Sequence, residues 1–266
     1  MMQPRWPRSA WWAREDVARE MPLDPIGWTV HRLGAVDSTM TPARASARNG
    51  GSDRTVFLAR EQIGGHGRHG RPWYSPPGNL YFTAVLCPDL PPRRAGECSL
   101  LMSVVLAEAL GALIPGADLR LKWPNDVLLF GGKVAGLLPE AVIDGGALKA
   151  LLLGIGVNVA HKPDLPDRAT SRLADHVTEE LDLDDVLGCI LRTLDRWCGI
   201  WLTAGGFVRV RDAWLALGPV VGSPVSIKLG ENRIDGSFRG LGEDGALLIR
   251  ETDGTDRRIL AGEVLG

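Results

Sequence analysis

The chain is 266 residues long, 45% hydrophobic and 23% charged, the proportions of an ordinary globular protein able to bury a full core. A net charge of −2 and the lack of any run of five or six like charges argue against a generic polyanion binder. The four cysteines form no C-x-x-C pair, which excludes a zinc finger and fits reduced thiols in a cytoplasmic protein.

Residues 1–27 hold prolines at 4, 7, 22 and 25 and no apolar signal-peptide core, so they predict a poorly ordered lead-in. Alternation over 28–33 predicts a strand, and 41–49 a helix stopped by Asn49-Gly50-Gly51. Further strands are expected at 55–61 and 79–86, then a helix over 97–113 that ends before Pro115-Gly116. The segments 119–123 and 126–130 flank a turn, and 133–138 and 151–159 add two apolar strands. Uncharged stretches near 98–107 and 150–160 fall short of the roughly 20 residues a bilayer needs. Amphipathic helices are expected at 181–203 and 207–216. After Leu217-Gly218-Pro219 the sequence turns to short β-segments with intervening turns. The reading is α+β: a body of strands and helices at 28–217, then a small β-barrel at 218–266.

Residues 64–71 contain Gly65-x-Gly67-x-x-Gly70, the letters of a dinucleotide fingerprint. A Rossmann site needs a helix directly after the loop. Here Pro76-Pro77 and a strand follow, so the better reading is a mobile loop whose glycines bring backbone N–H groups to an anion while Arg68 and Arg71 add charge. Lysine is scarce, five of 30 basic residues. Two of the five, Lys122 and Lys133, lie on either side of a turn containing Asn125 and Asp126. Joining a carboxylate to the α-phosphate of ATP brings two anions together, and such a site must gather cations and N–H donors. Asp126 could there hold a magnesium ion or a lysine amine.

Asp37-Ser38-Thr39, Glu61-Gln62 with Gly65, Gly67, Arg68, Gly70, Arg71 and Trp73, Ser75 to Tyr81, Lys122-Trp123-Pro124-Asn125-Asp126, Lys133-x-Ala135-Gly136 and Gly154 to Asn158 resemble the biotin protein ligase family in order and spacing. The resemblance runs from about residue 28 to the C-terminus. It implies a catalytic domain with a mixed sheet and helices at 28–217, an SH3-like C-terminal domain at 218–266 and a two-step reaction. Biotin and MgATP give biotinyl-5'-AMP, and a lysine of a biotin carboxyl carrier protein, expected to be that of acetyl-CoA carboxylase, then takes the biotin. By position, Ser38, Thr39 and Gln62 contact biotin, Arg68 guards the adenylate, and Lys133 meets the biotin carboxylate. Arg71, Lys122 and Asn125 lie nearer the phosphates and Asn158 near the nucleotide. Met40, Gly65, His66, Gly67 and Gly136 complete the binding set, and Arg68, Lys133 and Asp126 are the catalytic candidates.

The chain departs from the family at Met40, His66, Ile63 and Gly64, where the family has Asn, Arg, a small polar residue and Ala. Met40 removes a polar contact and His66 a fixed charge, which predicts a leakier hold on the adenylate. A lipoyl or octanoyl transferase of the same superfamily, and a catalytically weak biotin sensor, are the alternatives. A repressor is not expected, because only about 27 residues precede the first strand. The expected assembly is a monomer or homodimer without DNA or membrane. Trp73 and Trp123 are expected to pack under the site, the tryptophans at 197, 201 and 214 in core or interface, and His69 on the loop surface. Glu140 either caps an element or faces the nucleotide.

Overall fold

A computed structural model describes residues 19–23 and 27–265. The remainder of the expected lead-in, 1–18 and 24–26, lies outside the described residues. Two sheets follow one another along the chain. The first has eight strands in the order β1-β2-β3-β4-β8-β7-β6-β5: β1 (Arg19–Leu23), β2 (Trp28–Val36), β3 (Thr55–Gln62), β4 (Leu80–Leu86), β5 (Leu119–Lys122), β6 (Asp126–Leu129), β7 (Gly132–Asp144) and β8 (Ala147–Val157). Only β2 and β3 run parallel; every other neighbouring pair is antiparallel.

The helices are α1 (Met40–Arg48), α2 (Cys98–Leu113), α3 (Leu183–Trp201) and α4 (Gly206–Leu217). α1 lays Met40, Ala43 and Ala47 on Phe57, Val85, Ala150 and Leu152 at one face of the sheet. The main core gathers β-strand residues such as Val30, Leu58 and Phe82 with α2, α3 and α4. Every residue of β4 is buried, which is why Leu80 to Leu86 reads as a continuous apolar run rather than an alternating one. Trp197, Trp201 and Trp214 all lie in this core. Burial pushes the Cys98 thiol up and that of Cys198 up to about 12, so both stay neutral and all four cysteines are free.

Three features differ from expectation. Residues 19–23, read as lead-in, pair with β2 as an edge strand, a position that tolerates Pro22 because an edge residue need not donate to a ladder. The strands expected at 133–138 and 151–159 extend into one hairpin joined by Gly145 (φ 57°) and Gly146 (φ 78°). Two successive positive φ values are what a tight hairpin turn demands, and glycine meets them without strain. Pro92–Leu113 also forms 22 helical residues that contain an 18-residue window of mean hydropathy 1.5, long and apolar enough by composition to cross a membrane, yet 67% of that window is buried inside the protein.

The second sheet is antiparallel, in the order β12-β11-β10-β9-β13: β9 (Pro224–Leu229), β10 (Asn232–Leu241), β11 (Leu247–Glu251), β12 (Asp256–Ile259) and β13 (Glu263–Val264). Its apolar face, with Ile227, Phe238, Leu247 and Ile249, is continuous with the main core. Gly245 abuts Leu100 and Phe207, with no room for a Cβ (2.9 Å to Leu100 Cδ1). The Trp123 indole N–H donates to the Gly245 carbonyl at 3.2 Å. The small sheet is thus docked on the helices, and β13 reaches the cavity described next.

Candidate active site

A cavity of about 730 Å³ opens where the start of α1, the β3–β4 loop, the β5–β6 turn, β7, β8, residues 163–170 and β13 converge. All the candidate residues line it: Ser38, Thr39, Met40, Gln62, Gly65, His66, Gly67, Arg68, Arg71, Lys122, Asn125, Asp126, Lys133, Gly136 and Asn158.

One end is neutral and internally hydrogen-bonded. The Gln62 side-chain carbonyl accepts from the Thr39 backbone N–H (3.0 Å) and Thr39 Oγ1 (3.3 Å), and its amide donates to Ser75 Oγ (3.2 Å). Thr39 Oγ1 also bonds Thr83 Oγ1 at 2.8 Å, and the Met40 N–H donates to Ser38 Oγ. Trp73 lies flat against two glycines. A Cβ on Gly156 would stand 2.3 Å from Trp73 Nε1, and one on Gly136 2.9 Å from its Cζ3. These glycines let the indole lie against the β7–β8 backbone, the packing role expected of it.

The other end is charged, with Arg68, Arg71, Lys122, Lys133 and Arg168 facing Asp126, Asp167 and Glu263. Lys133 Nζ meets Asp126 Oδ1 at 2.6 Å and stands 5.3 Å over the Trp73 ring. Asp126 pairs across the strands with Gly136, so the turn and the start of β7 bring the two side chains together. Both are mostly buried, and an ion pair shielded from water is stronger than one on the surface. Burial lowers the Lys122 pKa, against the attraction of Asp126. Asn125 and Asn158 line the wall but spend their amides on the frame. Asn125 Nδ2 donates to the Leu137 carbonyl at 2.6 Å, and Asn158 Nδ2 to those of Ser171 (3.0 Å) and Lys133 (3.3 Å).

The glycine-arginine loop is pinned at both ends. Gly67 N–H donates to the Arg71 carbonyl and Trp73 N–H to that of Gly65. Gly65 leaves no room for a side chain, since a Cβ would fall 2.6 Å from Ser75 Oγ. Arg68 donates to the Gly262 carbonyl at 3.0 Å, and Arg71 forms a two-pronged pair with Glu263. That hydrogen bond raises the Arg71 pKa and holds the Glu263 carboxyl below its ordinary value, while burial lowers that of Arg68. His69 is exposed at the loop tip.

Sequence reasoning missed Asp167, Arg168 and Glu263 in the cavity wall, and Thr83 and Ser75 behind it, where they bond Thr39 and Gln62. Thr83 carried a signal, the one small hydroxyl residue inside an otherwise apolar and aromatic strand; Glu263 carried none. Glu140 neither caps an element nor faces the cavity. It takes a two-pronged pair from Arg44 of α1, with Nη2 at 2.7 Å from Oε2, because β7 passes beside that helix.

A mixed sheet with a deep, cationic cavity and a small antiparallel domain at its mouth is the architecture of a ligase that handles a small acid and a nucleotide. The model of the Biotin/lipoate A/B protein ligase family matches residues 35–158, and that of the Biotin protein ligase C terminal domain matches 220–265. A biotin--[acetyl-CoA-carboxylase] ligase of Paracoccus denitrificans is 38% identical over 224 residues, 82% of this chain and 92% of that relative. The chain belongs to the biotin protein ligase family. Among solved structures, the biotin protein ligase of Aquifex aeolicus in complex with biotin and ATP superposes with TM-score 0.70 at 29% identity, covering 88% of this chain and 97% of the other. The Leishmania major enzyme in complex with biotinyl-5-AMP gives 0.58 at 27% identity, covering 87% and 98%.

Proposed function

We infer that this chain is an ATP-dependent ligase that activates biotin to biotinyl-5'-AMP and transfers it to a lysine of a biotin carboxyl carrier protein, that of acetyl-CoA carboxylase in our reading. The observation that carries this is the cavity itself, with a neutral hydrogen-bonding end beside an end of five cations and three carboxylates. The ureido ring of biotin offers two N–H donors and a carbonyl, which suit Ser38, Thr39 and Gln62 in a pocket floored by Trp73. The chain's division into a catalytic body that runs to 217, opening on the edge strand 19–23 rather than at 28, and an SH3-like domain at 218–266 is part of the same reading, as are a cytoplasmic location and action as a monomer or homodimer without DNA.

In the first step a biotin carboxylate oxygen bonds to the α-phosphorus of ATP and pyrophosphate leaves. Lys133 is assigned to the carboxylate and Arg68 to the charge that builds on the phosphate, with Arg71 and Lys122 toward the leaving group. ATP enters as its magnesium complex. Among the described residues no three acidic, histidine or cysteine side chains cluster as metal ligands, and Asp126, Asp167 and Glu263 each already hold a cation. The donor set therefore suits a magnesium ion carried by the phosphates, with Asp126 the carboxylate best placed to join it.

In the second step the acceptor amine bonds to the acyl carbon, AMP leaves and the amine gives up a proton. A lysine of ordinary pKa is neutral only about once in a thousand at pH 7, so a nearby base is useful. Once the adenylate has formed, Asp126 is the group assigned to that proton. Asp126→Asn should slow transfer from preformed adenylate, and an unchanged half-reaction rules the role out. The reading as a whole is tested by exchange of labelled pyrophosphate into ATP. Exchange that depends on biotin supports it; exchange that depends on lipoate or octanoate instead contradicts it.

A further inference from the structure

Three exposed large apolar side chains line this cavity, Ile63, Tyr74 and, on the 163–170 segment, Leu165; the first two stand side by side at its mouth without a role in it. Gln62 N–H donates to the Ser75 carbonyl and Trp73 N–H to that of Gly65, so 62–65 and 73–75 run as paired segments. Gln62 and Ser75 join the neutral network and Trp73 packs on the glycines. Ile63 and Tyr74, between them, are left on the rim at 82% and 53% exposure. Single exposed apolar residues are common and need no explanation. Phe130, Ile143, Val208 and Val220 are of that kind, none of them lining the cavity. A pair beside an opening that a macromolecular substrate must reach is a different matter.

We propose that Ile63 and Tyr74 form the docking contact for the carrier protein, receiving apolar side chains that flank its acceptor lysine. The proposal rests on the ligase reading. The acyl carbon lies inside the cavity and a lysine offers only a four-carbon stem, so the carrier backbone must come to the rim, where these side chains wait. Two other occupants are conceivable, a second copy of the chain and the tryptophan-bearing residues 1–18. Either would stand in the carrier's path if it stayed, which is why the carrier is favoured.

The test uses the full chain with Ile63→Ser, Tyr74→Ser and the double substitution, read in three assays. These are biotin-dependent pyrophosphate exchange, transfer from preformed adenylate to hydroxylamine, and transfer to the carrier domain of a biotin-dependent carboxylase. The double variant should raise the KM for carrier about tenfold, equivalent to about 1.4 kcal/mol, and leave the other two rates within about twofold. An unchanged carrier KM overturns the proposal. So does an equal fall in exchange or hydroxylamine trapping, which would place the pair in the small-molecule site. Loss of the effect when residues 1–18 are removed assigns the surface to that segment, and a change from dimer to monomer in size-exclusion chromatography assigns it to a second copy; both overturn the proposal. No biotin-dependent exchange by the wild type contradicts the ligase reading itself, and the docking contact with it.

Discussion

The two ends of the cavity are built on opposite principles. At the neutral end Thr39, Gln62, Ser75 and Thr83 already satisfy one another, and Trp73 is fixed against Gly136 and Gly156. Such a site binds by keeping its geometry, with little to rearrange when a ligand arrives. At the charged end each of Lys133, Arg71 and Arg168 is held by a carboxylate of the protein. A phosphate or carboxylate ligand must take these cations from partners they already have. The contrast teaches that shape selection and charge selection are divided between different residues, and substitutions should separate them.

The largest effect is expected at Lys133, where the two ends meet. Removing one preorganised donor from developing charge costs roughly 10² to 10³ in rate. Lys133→Ala should lower biotin-dependent pyrophosphate exchange by that order, while the neutral end keeps its measured affinity for free biotin to a greater degree. Gly156→Ala attacks the neutral end by overpacking. Its Cβ cannot coexist with Trp73, so the variant should lose about 1–3 kcal/mol of stability in chemical denaturation, with weaker biotin binding as the indole is displaced. Thr83→Val removes the buried hydroxyl that orients Thr39 and, acting through Thr39, should weaken biotin about fivefold by calorimetry, about 1 kcal/mol.

The smallest effect is a pH dependence. Burial lowers the Lys122 pKa, so its ammonium is lost as pH rises through that lowered value, earlier than for an exposed lysine. The KM for ATP should therefore climb on the alkaline side. Lys122→Arg, whose charge does not titrate in this range, should flatten the climb.

Much of this architecture is written in short-range patterns. The apolar run of Leu80 to Leu86, the Asn49-Gly50-Gly51 stop and the β-segments after Pro219 foretell the central strand, the end of α1 and the second sheet. They do so because each depends on neighbours within a few residues. The candidate residues stand in local motifs for a related reason, since each loop must supply several groups at once. What stayed hidden depends on distance along the chain. Arg71 and Glu263 are 192 positions apart, and no periodicity links them. Glu140, which the sequence left between a capping role and the nucleotide, stands on the same strand as the Lys133 to Gly136 motif. Seven positions beyond Lys133 along the 13-residue β7, it is already out of the cavity and beside Arg44. Residues 19–23 were misjudged because Pro22 suggests a break, whereas an edge strand accepts it.

The division of labour between the two ends is tested most directly by titrating biotin, without ATP, into Thr83→Val and Lys122→Ala. The neutral-end substitution should weaken biotin about fivefold, and the charged-end one should leave its Kd within about twofold, under roughly 0.4 kcal/mol. Weakening by Lys122→Ala with no change in Thr83→Val would contradict the account.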